Sequence, residues 1–245
     1  MRILAVLLIL LVSQSAEADK AVSRNFDGGN DEIDWGVVHN TTTGDRTVCG
    51  WFKMTDDASA DALAGEKNNT GTNAGYLIYQ NTADVTLFTV ADGTDIQSSE
   101  ATTDIDGIWS VVCGTWSSSD EVTRIYVNGS QEDTDTGAGA VDSLSTTVEF
   151  SVGEDGAEGN HAVMVAGWIL TAPSVWTSVQ INEIRWHPEG IFAASAVGTT
   201  GMIVPAWTGL SPEVDIANNF DGTVLNSAVS TDGPPIMIGA LGASY

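Results

Sequence analysis

The chain has 245 residues, and 33 Asp and Glu against 8 Lys and Arg give it a formal net charge of −25. A surface of this charge repels the phosphates of nucleic acids and of anionic membranes, and the clusters of basic residues that such partners require are missing. Composition therefore excludes a nucleic-acid-binding protein. No Pro-rich, Ser-rich or charged linker divides the chain, so we expect one folded domain.

The first residues have the organisation of a secretory signal peptide. An apolar stretch over 3–12 follows a basic residue, and Ala16 and Ala18 supply the small-x-small pattern that signal peptidase cleaves. We therefore expect a signal peptide at 1–18, a mature chain beginning at Asp19, and a secreted (extracellular or periplasmic) protein. An uncleaved anchor is the alternative. No segment reaches the ~20 apolar residues of a membrane helix, so we expect no membrane insertion of the mature chain.

Short strand-like segments then follow one another along the chain. Each is rich in Val, Ile, Tyr, Phe or Trp and is bounded by Gly, Asp, Asn or Ser. Asp92-Gly93 and Asn128-Gly129 lie between such segments, and both predict tight hairpins because the type I′ turn needs residues that tolerate positive φ. The predicted strands are EIDWGVV (32–38), TVCGWFKM (47–54), GYLIYQ (75–80), VTLFTV (85–90), WSVVCGTWS (109–117), TRIYVN (123–128), TVEFSVG (147–153) and HAVMVAGWIL (161–170).

One segment has helical spacing. Over about 174–187, apolar residues recur near every third or fourth position, behind one proline and ahead of another. These residues are Val175, Trp176, Val179 and Trp186. Many strands with one short helix indicate an all-β fold, in which two antiparallel sheets pack as a jelly-roll sandwich.

Two cysteines, Cys49 and Cys113, lie in matching strand contexts, each in a run rich in Val and Trp. Because the number is even and export is predicted, the expected product is one disulfide between two strands. Neighbouring antiparallel strands bring their Cα atoms about 4.5 to 5.5 Å apart, which suits a disulfide if these strands pair. Two buried free thiols are the alternative.

These segments, in this order, resemble the LamG and concanavalin A-like lectin superfamily, including its pentraxin branch. NFDGGNDEID (25–34) resembles the first strand signature of the family, WSVVC (109–113) its Trp-initiated central strand, and IYVNG (125–129) its hairpin. The resemblance implies one jelly-roll domain over 19–245 with a C-terminal extension from about residue 200. The pentraxin branch has a disulfide between the same two strands.

The resemblance implies a non-catalytic module that binds a carbohydrate or mediates adhesion, with a glycan or a cell-surface component as partner. A structural component of a surface or viral particle, using the jelly roll for protein contacts, is the alternative. A glycoside hydrolase is a third possibility, since related glucanases carry a Glu-x-Asp strand followed by a second Glu. Here Glu32 and Asp34 are followed by Gly36 and Val37. Without the second carboxylate double displacement cannot run, so we expect no enzyme.

The acidic, Gly-containing loop at 154–160 is the candidate calcium site, because calcium prefers hard oxygen ligands. The matching loop of the pentraxin branch supplies calcium ligands, together with an Asp-Asn pair from an earlier loop. The corresponding segment here, 68–73, has no Asp, and a solvated turn is the alternative. Asp27 and Asp31 are a second candidate set, which could instead cap their own turn. The candidate loop ligands are Glu154, Asp155, Glu158 and Asn160.

Aromatic side chains are the candidate sugar platform, since an exposed ring stacks on the apolar face of a pyranose. The resemblance assigns Trp51, Trp109, Trp168 and Trp186 to the core. Trp116 lies at a strand exit beside three serines, and Tyr76 and Tyr79 follow an Asn-rich loop. We therefore predict ligand contacts from Trp116, Tyr76 and Tyr79.

Overall fold

Two antiparallel β-sheets face each other in a computed structural model of the chain. The structure describes residues 23–38, 44–55, 59–67, 73–137, 141, 144, 146–154, 160–186, 202–204, 222–226 and 228–230. The predicted signal peptide lies outside them. In chain order the elements are β1 (Ser23–Asp27), β2 (Glu32–Asp34), β3 (Arg46–Met54), β4 (Asp61–Lys67), β5 (Gly75–Gln80), β6 (Thr86–Ala91), β7 (Ile96–Glu100), β8 (Ser110–Ser117), β9 (Val122–Val127), β10 (Ser130–Asp135), β11 (Ser151–Val152), β12 (Val163–Ala172), α1 (Ser178–Trp186), β13 (Met202–Val204), β14 (Thr223–Leu225) and β15 (Ala228–Ser230).

Sheet A has the strand order β10-β9-β8-β3-β12-β1-β15, with β13 also paired to β12, and sheet B has the order β14-β2-β11-β4-β5-β6-β7. The predicted jelly-roll sandwich with a short helix is therefore confirmed. Parts of the predicted C-terminal extension pair with both sheets, since β13 and β15 join sheet A and β14 joins sheet B. Among the described residues, no helix is long and apolar enough to span a membrane.

The main hydrophobic core fills the space between the sheets. Phe88 of β6 lies against Gly114 of β8 so closely that a Cβ on Gly114 would be 2.1 Å from the ring. Tyr76 of β5 crosses the core, where its hydroxyl lies 3.3 Å from Oγ1 of Thr171 on β12. The ring of Phe150 packs against Trp35 at a centroid distance of 5.9 Å. At Gly114 the missing side chain thus makes room for the ring of Phe88 from the opposite sheet.

A second apolar cluster covers the outer face of sheet A beneath α1. It contains the disulfide between Cys49 and Cys113, which are direct partners in the β3–β8 ladder with Cα atoms 4.1 Å apart. The expected strand pairing and the bridge are therefore both present. Trp51 and Trp168 are buried in this cluster, and Trp109 packs at its margin.

Helix α1 begins at Ser178, later than the predicted start. Its N-cap is Thr177, whose Oγ1 accepts a hydrogen bond from the Gln180 amide at 3.3 Å, while Oε1 of Gln180 accepts one from the Thr177 amide at 2.9 Å. This reciprocal pair is a capping box. The buried face is formed by Ile181 and Ile184, and Val179 is 75% exposed. Val179, one of the residues whose spacing predicted the helix, therefore lies on its exposed face.

The two predicted hairpins differ in their turns. Asn128 and Gly129 form a two-residue link between β9 and β10 with φ of 53° and 83°, as a type I′ turn requires. The turn at Asp92-Gly93 has four residues, because Oδ1 of Asp92 accepts hydrogen bonds from the amides of Thr94 and Asp95 at 2.8 and 2.9 Å. Both hairpins exist, but only the first has the tight turn that the sequence predicts.

Candidate functional site

An open, acidic groove lies where the β5–β6 turn, the segment after β7 and strand β10 meet. Its volume is about 780 Å³, within the roughly 300–1,000 Å³ range of small-molecule sites. Its lining is dominated by carboxylates and threonine hydroxyls and has no aromatic ring. The carboxylates are those of Asp84, Glu100, Asp104, Glu132 and Asp133. Such a lining accepts hydrogen bonds from hydroxyl groups and disfavours anions.

Glu132 holds one wall of the groove. Its Oε2 accepts hydrogen bonds from the amide of Thr102 at 2.8 Å, the hydroxyl of Thr102 at 2.8 Å and the amide of Thr103 at 2.9 Å. Its Oε1 accepts a hydrogen bond from the hydroxyl of Thr103. Partial burial acts to raise the pKa of Glu132, but the hydrogen bonds from Thr103 and Thr102 together outweigh burial and lower the pKa. The hydrogen bonds from Thr102 and Thr103 therefore favour the ionised form of Glu132, and Glu132 in turn fixes the position of these two threonines.

Tyr79 is the predicted ligand residue that lies beside this groove. It is half-buried and shares a cross-strand row of sheet B with Leu87 and Glu100. Burial raises the pKa of the Tyr79 hydroxyl, and the neighbouring charge of Glu100 raises it further. Tyr79 is not part of the groove lining itself, but its cross-strand row ends at Glu100, one of the lining carboxylates.

The other two aromatic candidates were wrong. Trp116 is 1% exposed and lies in the core between the sheets, and Tyr76 is fully buried there. Neither ring can reach a sugar in the folded protein. The inner face of a strand is a more common position for Trp and Tyr than a binding surface, and both residues follow that rule.

The candidate calcium loop lies only partly within the described residues, since Asp155 and Glu158 fall outside them. The main-chain oxygen of Glu154 accepts a hydrogen bond from the Ser151 hydroxyl at 2.7 Å, and that of Asn160 accepts one from the Ala62 amide at 3.3 Å. Within the described ranges, no group of three or more His, Cys, Asp or Glu side chains is arranged to hold a metal ion. Calcium at this loop stays a prediction.

The second candidate set for calcium is Asp27 and Asp31, in the turn after β1. Oδ1 of Asp27 accepts a hydrogen bond from the Gly29 amide at 2.8 Å, and Oδ2 of Asp31 accepts one from the Asp27 amide at 2.9 Å. These carboxylates therefore cap their own turn, which is the ordinary role of Asp at such positions.

Asp34, from the strand that resembles the glucanase motif, is an unusual carboxyl group. It lies between Ser151 and Thr223 in sheet B. Partial burial, followed by the nearby charge of Glu149, raises the pKa of Asp34 to about 6. Glu149 comes from a distant part of the chain, so sequence reasoning did not connect the two. Since the folded state favours the protonated form, ionisation of Asp34 at neutral pH destabilises the protein.

Replacement of Asp34 by asparagine is expected to raise the free energy of unfolding at pH 7 by about 1 kcal/mol, after discounting for solvent screening at this half-exposed site. The raised pKa means that the stability associated with protonated Asp34 is present below about pH 4 and is lost as the pH rises through about 6. Urea denaturation at pH 4 and pH 7 should show the difference at pH 7 alone. Glu183→Gln on the exposed face of α1 is the control for loss of one charge, and an equal gain there would contradict the prediction.

Comparison with known proteins identifies the family. A laminin G-type family model, described as the Concanavalin A-like lectin/glucanases superfamily, matches residues 27–168, more than half of the chain. The chain belongs to this superfamily. A comparison with curated protein sequences found no match.

Solved structures of concanavalin A-like proteins share the fold of this chain at low sequence identity. A proposed carbohydrate-binding protein from Bacteroides ovatus has a TM-score of 0.69 and 14% identity over 90% of this chain, which spans 62% of the length of that protein. The heptameric SAP-like pentraxin from Limulus polyphemus has a TM-score of 0.55 and 15% identity, covering 86% of this chain and 96% of the pentraxin. A mutant of the NanB sialidase from Streptococcus pneumoniae has a TM-score of 0.51 and 16% identity, covering 66% of this chain and 27% of the sialidase. At these identities the likeness shows the fold alone.

Sequence reasoning missed the groove of this concanavalin A-like protein, although it singled out Tyr79 beside it. The acidic run SQEDTD after the Asn128-Gly129 turn was the available signal, and it supplies Glu132 and Asp133. The other carboxylates come from segments with no local feature in common. Their convergence depends on how the edges of the two sheets meet.

Proposed function

We propose that this protein is an extracellular, non-catalytic module that binds a neutral glycan in the acidic groove. The observation that carries the proposal is a sugar-sized open groove lined by carboxylates and threonine hydroxyls, with Tyr79 at its margin. Sugar hydroxyls are hydrogen-bond donors, and carboxylates are strong acceptors for them.

The extracellular and non-catalytic parts of the proposal have separate support. The disulfide between Cys49 and Cys113 is typical of oxidising compartments, as laminin G-like domains are of extracellular proteins. The Bacteroides ovatus neighbour is a proposed carbohydrate-binding protein. The sialidase neighbour shares only the fold, and likeness of fold carries no catalytic residues.

The charge of the groove sets the class of glycan. Glu100 and Asp104 are exposed, and Asp84 is partly exposed at the β5–β6 turn, so all three can face a ligand. An anionic sugar, such as a sialylated or sulfated one, would add a like charge to a site with five carboxylates. A neutral sugar avoids that cost. With one half-buried ring and a few hydrogen bonds per site, a dissociation constant near ~10⁻⁴ M is expected, and repeated glycan ends would be held by multivalency.

A glycan array probed with multivalent mature protein (19–245) tests the proposal, using matched neutral and sialylated ligands with and without chelator. We expect neutral glycans to be retained and sialylated ones rejected. Glu100→Ala should weaken retention about tenfold, because it removes a charged acceptor worth about 1.5 kcal/mol while its main-chain contacts remain. Glu183→Ala on α1 removes the same charge on the outer face of sheet A and should have no effect.

The array also separates the remaining functions. A blank array at high protein concentration would overturn the proposal and favour a surface or particle component that uses the sandwich for protein contacts. Retention that disappears with chelator, accompanied by calcium heat in calorimetry, would support the calcium prediction for the loop carrying Glu154 and Asn160. If glycans are still retained in the presence of chelator and by the Glu100→Ala variant, the binding site lies outside the groove.

A further inference from the structure

The edge strands of the two sheets meet along one side of the sandwich. Strand β7 ends sheet B, and strand β10 ends sheet A. In an antiparallel strand, successive amides point alternately toward the neighbour and away from it. The Ala101 amide points toward β6, where it donates to the oxygen of Thr86 at 2.8 Å. The amides of Ser98, Glu100 and Thr102 therefore point outward, where an edge strand normally meets water or another chain.

Each of these three outward amides donates to a carboxylate of β10. The Ser98 amide donates to Oδ2 of Asp135 at 3.3 Å, and the Glu100 amide donates to Oδ2 of Asp133 at 2.9 Å. The Thr102 amide donates to Oε2 of Glu132 at 2.8 Å. The side chains of one edge strand thus take the place of a missing strand beside the other.

A β-bulge in β10 makes this arrangement possible. The β9–β10 register shifts between Gln131 and Asp133, so Glu132 is the extra residue. In a regular strand, adjacent side chains would point to opposite faces. A bulge re-aims side chains locally, and here both Glu132 and Asp133 reach the edge of sheet B.

We propose that Glu132, Asp133 and Asp135 form a latch that closes the edge of β7 at neutral pH, and that protonation of Glu132 opens it at acid pH. Hydrogen bonds to an ionised carboxylate are roughly twice as strong as those to a neutral group, so protonation of Glu132 weakens its hydrogen bonds with Thr102 and Thr103. An open latch exposes a row of outward amides, the arrangement to which another strand adds. The latch therefore also protects β7 from pairing with a second copy of the chain.

Other charges near the latch act against closure, because most of them are acidic. Burial also opposes ionisation of Glu132, but the hydrogen bonds from Thr103 and Thr102 outweigh burial and lower the pKa of Glu132. A carboxyl group with a lowered pKa contributes stability that is complete above its ordinary value of 4.5 and is lost as the pH falls through its folded value. The latch should therefore open only below pH 4.5. The charged groups on the elements packed around β10 are Asp84, Glu100, Asp104, Asp106, Glu121, Arg124, Glu183 and Arg185.

Amide hydrogen exchange, followed residue by residue by NMR and corrected for intrinsic rates, tests the latch between pH 6 and pH 3.5. We expect protection at the Ser98, Glu100 and Thr102 amides to fall at least tenfold, while protection at Ala101, which faces β6, stays constant. Loss of protection at all four amides together would show global unfolding and overturn the proposal. This readout needs no glycan, so it is independent of the proposed function.

Two variants separate titration from packing. The triple variant Glu132→Gln, Asp133→Asn and Asp135→Asn keeps an acceptor oxygen at each position but cannot titrate, so protection of the outward amides should no longer depend on pH. The same pH-dependent fall in this variant would overturn the proposal. If the triple variant does not fold, Glu132→Gln alone should remove the pH dependence at Thr102 and Thr103. Size-exclusion chromatography at pH 3.5 should show self-association of the wild type that increases with protein concentration.

Discussion

Replacement of Trp116 by alanine is expected to lower the free energy of unfolding by about 3–5 kcal/mol. The side chain is 1% exposed and lies in the core between the sheets, on the same inner face of β8 as Gly114. Truncation removes the contacts that the buried ring makes in the core. It also leaves a cavity, which the two hydrogen-bonded sheets cannot easily move together to fill. Urea denaturation followed by circular dichroism measures the loss.

Trp109→Ala is the matched control for this prediction, because Trp109 is only partly buried and packs edge-on against Trp51 at a centroid distance of 6.5 Å. We expect it to cost clearly less stability than Trp116→Ala. If Trp116→Ala kept wild-type stability but no longer retained glycans, the result would contradict the burial of Trp116 and indicate that it contacts the ligand.

For the aromatic candidates, the sequence alone could have shown which residues lie on opposite faces of a strand. Tyr76 and Tyr79 are three positions apart on one strand, so a period of two puts them on opposite faces, and they cannot share a platform. The same rule separates Trp116 from Cys113, whose disulfide lies on the outer face of sheet A. Alternation therefore predicted that one residue of each pair faces inward. It did not reveal which one, because both β5 and β8 carry apolar or aromatic residues on each face.

Most of the fold could be predicted because its strands are apolar, short and bounded by turn residues. Among the strands that were not predicted are β4 and β10, DALAGEK and SQEDTD, which are poor in residues of high β-propensity. Strand β4 is fully buried even at Glu66, whose Oε1 accepts a hydrogen bond from the Val38 amide at 2.7 Å. Strand β10 is held by the type I′ turn and by its carboxylate contacts with β7. Non-local partners therefore determine β4 and the contacts of β10 with β7, and a single sequence does not show them, whereas the turn that precedes β10 was predicted.

The groove was beyond sequence reasoning for the same reason. Asp84, Asp104 and Glu132 come from the β5–β6 turn, the segment after β7 and strand β10, which are adjacent only after the two sheets have packed. An acidic residue in a loop is most often a solvated one, so each of them alone carries no signal. The composition did indicate the acidic character of the surface, which disfavours nucleic acids and, in the groove, other anions.

Removal of the disulfide with Cys49→Ala and Cys113→Ala is expected to cost about 4 kcal/mol of unfolding free energy. The bridge joins residues 64 positions apart, and on the chain-entropy model such a cross-link restricts the unfolded chain by about that amount. Alanine keeps the cluster beneath α1 apolar, so the β-rich circular dichroism spectrum should be unchanged in native buffer. Guanidinium denaturation of the oxidised wild type and the double variant measures the difference.

Val111→Ala is the matched control for the disulfide prediction, since Val111 is a fully buried residue on the same strand and in the same cluster as Cys113. It removes packing but leaves the cross-link in place, so its effect estimates the part of the loss that truncation alone causes. A double cysteine variant no less stable than Val111→Ala would show that the bridge contributes little. Labelling of free thiols in the native exported protein would contradict the bridge itself, because both sulfur atoms are expected to be oxidised and buried beneath α1.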